Sequence, residues 1–187
     1  MKKISFLTTA FLILISVIGN AQDKYFTKEG TAKFFSKAPL EQIEGINKKV
    51  TSVLEITTGK LEFSVLMKAF EFQKALMQEH FNENYVESDK FPKAVFKGTV
   101  ENPEQVKWTT NGTYPVKVTG KMTIHGVTKD ITVPGTFEVK DGIINGTSTF
   151  NILVKDYDIA IPNLVKDKIS ESVKVDVDLK YEPFTSK

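Results

Sequence analysis

The chain contains two histidines, His80 and His125, and these are the side chains that offer the widest choice of chemistry. A histidine can act as a general base or ligate a metal ion near neutral pH. Neither one lies in a His-x-His or similar spacing, and the chain has no cysteine, so no metal site and no thiol catalysis are predicted. His80 lies between Glu79 and Glu83, which is typical of an exposed helix face. His125 precedes Gly126 in a hairpin, where we expect a structural hydrogen bond.

Other catalytic patterns are weak or missing from the sequence. Asp156 and Asp158 could act as acid and base only inside a pocket, and we expect them in a solvated loop. The chain contains no Gly-x-Ser-x-Gly turn, phosphate loop or dinucleotide fingerprint. We therefore predict a protein that is not an enzyme, with no catalytic residue and no cofactor. A hydrolase that uses His80 and His125 is kept as an alternative, and it requires the two side chains to meet in the fold.

The elements that position these residues are mainly β-strands. The clearest signal runs from Thr119 to Val139, where two stretches of alternating apolar and polar residues flank His125-Gly126. Asp141-Gly142 predicts a second tight hairpin, because both central residues of a type I′ turn need positive φ. Pro134 has no backbone donor and predicts a bulge or an edge in its strand. The predicted strands are Thr31–Ser36, Val50–Thr57, Lys60–Met67, Ala94–Val100, Pro115–His125, Val127–Lys140, Ile143–Leu153 and Ser172–Tyr181.

One segment between two of these strands breaks the alternation. Phe70, Met77 and Phe81 follow helical spacing, which predicts a short amphipathic helix within Lys74–Phe81 that could cover a barrel end. Eight strands joined mostly by short turns favour an antiparallel barrel over a fold with parallel strands. The sequence therefore predicts an all-β, eight-stranded antiparallel barrel with one short helix between strands.

The interior of such a barrel can either be filled by side chains or hold one slender ligand. The residues predicted to face inward are apolar, and those that alternate with them are mostly Lys, Glu, Asp and Thr. A filled core is one interpretation, since buried phenylalanines usually pack against each other; a lined channel is the other. The predicted lining is Phe34, Leu61, Phe63, Val65, Phe96, Val118, Met122, Ile124, Phe137, Phe150, Ile152, Val175, Val177 and Leu179.

The first residues resemble a cleaved export signal. Lys2 and Lys3 precede an apolar stretch, and Gly19-Asn20-Ala21 supplies small residues at the positions that precede a cleavage site. The apolar stretch is short for a membrane span of about 20 residues. We predict a signal peptide over residues 1–21, a single domain over residues 22–187, and a periplasmic protein that does not span the membrane.

Two sequence motifs resemble those of the YceI-like family, whose members are periplasmic, lipocalin-like barrels that bind polyisoprenoid lipids. The first motif is TIHGVTK, which contains Thr123, His125 and Gly126. The second is MQEHFNENYVESDKFPKAVFKGTV, in which His80-Phe81 and Phe91-Pro92 are the best matches. The chain departs from the family at Val154-Lys155-Asp156-Tyr157 and at Gln73-Lys74-Ala75, where family members often carry arginine.

The resemblance implies non-catalytic binding of an amphiphilic, isoprenoid-type lipid, either a polyisoprenoid or a quinone-like molecule, inside the barrel. Carriage, storage and sensing of this lipid are all open, and so is a homodimer. The alternative for a filled barrel is an envelope stress protein that binds a partner. With 25 basic and 23 acidic residues, the loss of Lys2 and Lys3 leaves no formal net charge. The chain also lacks arginine, so no nucleic-acid partner is predicted.

Overall fold

Eight long strands form a closed antiparallel β-barrel in the computed structural model, which describes residues 23–184. The signal peptide predicted over residues 1–21 lies outside the described residues. A ninth strand, β4, has only two residues and is added at the edge of β2. The strands are β1 Lys24–Lys37, β2 Gln42–Glu55, β3 Lys60–Leu66, β4 Glu71–Phe72, β5 Lys93–Val100, β6 Gly112–Ile124, β7 Val127–Lys140, β8 Ile143–Leu153 and β9 Ser172–Pro183.

The order of hydrogen-bonded strands around the wall is β1, β9, β8, β7, β6, β5, β3 and β2, and β2 pairs with β1 to close the barrel. All pairs are antiparallel, as expected when neighbours in the chain are joined by short turns. The predicted fold class, an eight-stranded antiparallel barrel with one short helix, is therefore confirmed.

The first two strands are longer than the sequence pattern predicts. The predicted Thr31–Ser36 and Val50–Thr57 are replaced by β1 and β2, each of which has 14 residues. The register between them shifts around Gly30, where Val50 lies opposite Gly30 but Asn47 lies opposite Ala32. Such a β-bulge places an extra residue in one of the two strands and changes which side chains point inward. The apolar and polar residues of the strand therefore no longer alternate strictly.

Asn47 completes the irregular part of β2, and its side chain is fully buried. Its Nδ2 donates to the carbonyl of Leu66 at 2.8 Å, and its Oδ1 accepts the backbone N–H of Lys49 at 2.8 Å. A buried amide needs such partners, because an unsatisfied polar group is costly inside a protein. Because this inward residue is polar, the pattern of alternating apolar residues is interrupted, and this part of β2 is not predicted as a strand.

Near Pro134, one side of β7 is not paired with a neighbouring strand, which is the edge that the sequence predicts. β7 and β8 pair only from Thr136 opposite Thr147 towards their hairpin. Next to this point the Ser148 hydroxyl donates to the Pro134 carbonyl at 2.6 Å, in place of a ladder hydrogen bond. The missing donor of Pro134 is therefore tolerated where the two strands separate.

The two ends of the barrel are built differently. The hairpin at Asp141-Gly142, with φ angles of 51° and 81°, lies at one end. The other end, called the mouth below, carries the β1–β2 turn, the segment 67–92, the β6–β7 hairpin and the segment 154–171. The predicted helix lies at the mouth as α1, Ala75–His80, and continues as a π-helical turn over Phe81–Tyr85.

Candidate functional site

The barrel interior is divided into a hollow part and a packed part. A cavity of about 460 Å³ occupies the half next to the mouth. The opposite half holds a void of only about 40 Å³. Phe63, Met122 and Phe150 border both spaces and therefore form the floor of the cavity. Phe63 stacks on Phe96 below it, with ring centroids 5.3 Å apart and planes inclined by 22°.

The residues predicted to line the barrel fall into two groups. Eight of them surround the cavity: Phe34, Phe63, Val65, Met122, Ile124, Phe150, Ile152 and Val175. The others lie around the small void in the packed half: Leu61, Phe96, Val118, Phe137, Val177 and Leu179. The sequence therefore indicates the inward direction of these side chains, but only the first group is placed to contact a molecule in the cavity.

Several cavity residues come from the irregular segments and were missed from the sequence. Phe70, Phe72 and Phe81 surround Phe34, with ring centroids 5.4, 5.6 and 5.3 Å from it. These rings form one wall of the cavity near the mouth. Helical spacing identified Phe70, Met77 and Phe81 as one face of a helix that could cover a barrel end, but it did not show that these side chains line the cavity. The remaining missed wall residues include Ile159, Ile161, Val165 and Ile169.

Polar groups of the cavity are concentrated at the mouth. The Lys74 Nζ lies 3.3 Å from Oε1 of Glu41, and both residues line the opening. Lys168 and His80 also line it, and neither side chain makes a hydrogen bond or ion pair within residues 23–184. Burial raises the pKa of Tyr85, whose ring is part of the same wall. The cavity is thus apolar inside and carries cationic groups at its entrance.

His125 is held by two contacts in the β6–β7 hairpin. Its Nδ1 lies 3.1 Å from the carbonyl oxygen of Tyr157, and its Nε2 lies 2.7 Å from Oε2 of Glu87. The ring of Phe91 packs edge-on against it, with centroids 4.7 Å apart. These contacts join the hairpin to the segments that precede β5 and follow β8. His125 therefore makes hydrogen bonds that connect parts of the fold, of the kind that the sequence predicts at this hairpin.

The other motif residues support the same end of the barrel. Gly126 has a φ of 77° and approaches Phe91 so closely that a Cβ would lie 2.6 Å from its ring. The Thr123 hydroxyl shares a hydrogen bond of 2.8 Å with Thr128 across the hairpin. The carbonyl of Pro92 accepts the backbone N–H of Met67 at 2.9 Å. Within TIHGVTK, Ile124 lines the cavity, whereas Thr123, His125 and Gly126 specify the hairpin and its packing.

The fold does not place the two histidines in a shared site. His80 lies on α1 at the mouth, whereas both ring nitrogens of His125 already have partners. No hydrogen bond or ion pair within the described chain joins the two. Over residues 23–184 no group of three or more His, Asp or Glu side chains is arranged to hold a metal ion. In the same range, no helix has the length and apolar character needed to cross a bilayer.

Comparison with known proteins identifies the family. The model of the YceI-like domain matches residues 25–181. A search of curated proteins finds no match. The fold resembles a polyisoprenoid binding domain from Saccharophagus degradans that is implicated in plant cell wall breakdown, with a TM-score of 0.75, 16% identity and coverage of 87% of this chain and 99% of that one.

Two further solved structures share the fold. BcnA of Burkholderia cenocepacia has a TM-score of 0.67 and 17% identity, with coverage of 81% of this chain and 95% of that one. The YceI protein of Campylobacter jejuni has a TM-score of 0.57 and 19% identity, with coverage of 74% and 84%. Because the sequence identities are below 20%, these similarities show a shared barrel fold and nothing about the ligand. The family match extends from β1 into β9, and on this ground the chain belongs to the YceI-like family.

Proposed function

We propose that the protein binds one amphiphilic lipid with an isoprenoid-type chain in the cavity next to the mouth, without chemical change to the lipid. The observation that carries this proposal is the cavity of about 460 Å³, which is apolar inside and opens to solvent beside charged groups. A concave, mainly apolar space of this size is typical of small-molecule sites. The S. degradans structure is called a polyisoprenoid binding domain, and this supports the ligand class.

The driving force is removal of the apolar chain from water. Burial of one methylene contributes about 0.8 kcal/mol, so one five-carbon isoprene unit contributes about 3–4 kcal/mol before the cost of ordering. The cavity wall needs few polar contacts to reach useful affinity. The eight predicted residues around the cavity and the phenylalanines near the mouth supply this apolar contact.

The cavity volume limits the length of chain that can be buried. A methylene takes about as much room as a water molecule, roughly 30 Å³, so a cavity of about 460 Å³ accepts a chain of about 15 carbons. This corresponds to about three isoprene units. A longer polyisoprenoid would leave the rest of its tail outside the mouth, because Phe63, Met122 and Phe150 close the floor.

The polar head of the lipid is expected at the mouth. The side chains of Lys168 and His80 line the entrance and have no hydrogen-bond or ion-pair partner in the described chain, so they can donate to a hydroxyl, a carbonyl or an anionic head. Lys74 can do the same if it exchanges its contact with Glu41. The chain has no arginine for bidentate contacts with a phosphate, so its donors are point charges.

The compartment and the physiological role are part of the proposal. The signal-like sequence of residues 1–21 supports export and a periplasmic location. Binding without catalysis is supported by the two occupied ring nitrogens of His125, which leave it no free position for a substrate. Carriage, storage and sensing all require the same reversible binding. The interpretation as a completely filled barrel is disfavoured, since the half next to the mouth is hollow.

The proposal is tested by purifying the protein from its native host, extracting it with organic solvent and analysing the extract by mass spectrometry. We expect one dominant amphiphile with an isoprenoid-type chain, in a ratio near one per protein. The protein stripped by the extraction should bind the same compound again. Absence of any extractable lipid, together with no saturable binding of added isoprenoid alcohols, would overturn the proposal.

A further inference from the structure

The exposed leucines of this protein are concentrated at the mouth. Large apolar side chains exposed to solvent within residues 23–184 number eight, and all five leucines among them lie on the mouth end of the barrel. The remaining three, Val53, Ile143 and Phe184, lie towards the opposite end. An even distribution would need no explanation, since single exposed apolar residues are normal. A one-sided distribution around an opening is typical of a contact surface.

Three of these leucines lie directly around the entrance. Leu164 is 94% exposed, Leu40 is 71% exposed and Leu76 is 60% exposed. Leu76 itself lines the cavity, while Leu40 and Leu164 are next in sequence to the lining residues Glu41 and Val165. We call the segments that carry them, residues 37–41, 74–76 and 163–168, the mouth rim.

The mouth rim is held together by specific contacts. The backbone N–H of Leu40 donates to the carbonyl of Asp167 at 2.9 Å, which ties the β1–β2 turn to the segment after β8. The ion pair between Lys74 and Glu41 ties the start of α1 to the same turn. Three leucines from distant parts of the chain are therefore presented together around one opening.

The charge of the mouth rim complements an anionic surface. Its three segments contain four lysines, Lys37, Lys74, Lys166 and Lys168, and two carboxylates, Glu41 and Asp167. Glu41 is already paired with Lys74. Exposed leucines flanked by lysines form the combination that anchors proteins at a bilayer surface, since the leucines enter the apolar layer and the lysines contact anionic head groups.

We propose that the mouth rim docks on an anionic phospholipid bilayer, with Leu40, Leu76 and Leu164 inserted and the cavity opening towards the membrane. An apolar chain could then pass between the bilayer and the cavity with little exposure to water. Docking itself needs no ligand in the barrel, so it can hold or fail independently of the proposed lipid binding.

The first test is cosedimentation with vesicles made of equal parts of phosphatidylethanolamine and phosphatidylglycerol, and with vesicles of phosphatidylcholine alone. We expect binding to the anionic vesicles that weakens with salt, and little binding to the neutral ones. Loss of one inserted leucine should lower the partition constant about tenfold, so Leu164→Glu and Leu40→Glu should bind at least tenfold more weakly. The matched control is Ile143→Glu, which adds the same charge at the opposite end and should bind as the wild type does.

A second measurement identifies the surface that enters the bilayer. Since the chain has no cysteine, Leu164→Cys and Ile143→Cys each accept a single environment-sensitive fluorophore. We expect a blue shift of the emission on addition of anionic vesicles for the label at position 164 and none for the label at position 143. Wild-type protein that stays in the supernatant, or labels that respond equally at both positions, would overturn the proposal and leave a protein partner as the occupant of the rim.

Discussion

Glu87 and His125 lie 38 positions apart, and the carboxylate of one meets the ring of the other at 2.7 Å. Both residues have a left-handed backbone, with φ angles of 42° and 50°. On the other side of the ring, the Tyr157 carbonyl oxygen can only accept, so Nδ1 must carry a proton. An ionised Glu87 also only accepts, so the complete arrangement needs one more proton on Nε2 or on the carboxyl group. The contact between Glu87 and His125 thus joins two segments at the mouth, and at both residues the backbone conformation costs energy on its own.

Replacement of His125 should therefore destabilise the fold without abolishing ligand binding. In His125→Gln the shorter amide cannot reach both the Tyr157 carbonyl and Glu87. We expect a loss of about 1–3 kcal/mol in the free energy of unfolding, measured by urea titration. The control is His80→Gln, which changes an exposed histidine whose side chain has no partner within residues 23–184 and should leave stability unchanged. Equal stability of the two variants would contradict the structural role of His125.

Two glycines with similar backbones separate conformational strain from packing. Gly126 and Gly142 both have positive φ, but only Gly126 has a neighbour, the Phe91 ring, at the position of a Cβ. Gly142→Ala should cost about 1 kcal/mol for the left-handed conformation alone. Gly126→Ala should cost at least about 1 kcal/mol more, because the ring must move. The comparison uses thermal unfolding of both variants, and a cost for Gly142→Ala as large as that for Gly126→Ala would contradict the tight packing.

The packed half of the barrel predicts a loss of stability at alkaline pH. Burial raises the pKa of Tyr181, and its hydroxyl lies 2.8 Å from the Oγ of Ser52, a contact that opposes the shift. The unfolded chain loses this proton near pH 10, while the folded chain keeps it to higher pH. The unfolded state then binds fewer protons, so the free energy of unfolding falls as pH rises above about 10. Tyr85 and Tyr157, whose pKa values are also raised by burial, act in the same direction.

Urea unfolding at neutral and alkaline pH measures this effect. Between pH 8 and about pH 11, Tyr181→Phe should lose less stability than the wild type, because the phenylalanine has no proton to lose. The variant can be less stable at neutral pH, where the Ser52 contact is lost. If the two pH profiles run parallel, Tyr181 does not control the alkaline behaviour.

The limited depth of the cavity predicts a limit in chain length. Isoprenoid alcohols of two, three and four five-carbon units should be compared by fluorescence displacement. We expect affinity to rise at least about tenfold from two units to three, and by little from three to four, because the fourth unit stays outside the mouth. An equal gain at every step would mean that the floor formed by Phe63, Met122 and Phe150 opens.

The sequence predicts the regular half of this fold well. β7 and β8 have the predicted bounds, Val127–Lys140 and Ile143–Leu153, because their alternation is unbroken and their turns contain residues suited to positive φ. β1 and β2 were predicted too short, since Gly30, Gly45 and Asn47 occupy positions where an apolar residue would mark the interior.

The cavity could be predicted only in part. Alternation indicates that Leu61 and Val65 of β3 both point inward, yet only Val65 lies at the cavity, because the floor falls between them. The same apolar residue types fill the packed half of the barrel and line the cavity in the other half. Residue type therefore does not show which half a side chain belongs to. The mouth depends on segments 67–92 and 154–171, whose contacts such as Leu40 to Asp167 have no periodic signal in the sequence.

The claim that the cavity binds a lipid chain is tested most directly by titration of the purified, lipid-stripped protein with farnesol, an isoprenoid alcohol of three units. Ile152 faces the cavity and its neighbour Asn151 is exposed on the outer wall, so Ile152→Glu and Asn151→Glu add the same charge to opposite faces of β8. We expect saturable one-to-one binding for the wild type and for Asn151→Glu, and binding at least about tenfold weaker for Ile152→Glu. Equal binding by all three proteins, or no saturable binding by the wild type, would contradict it.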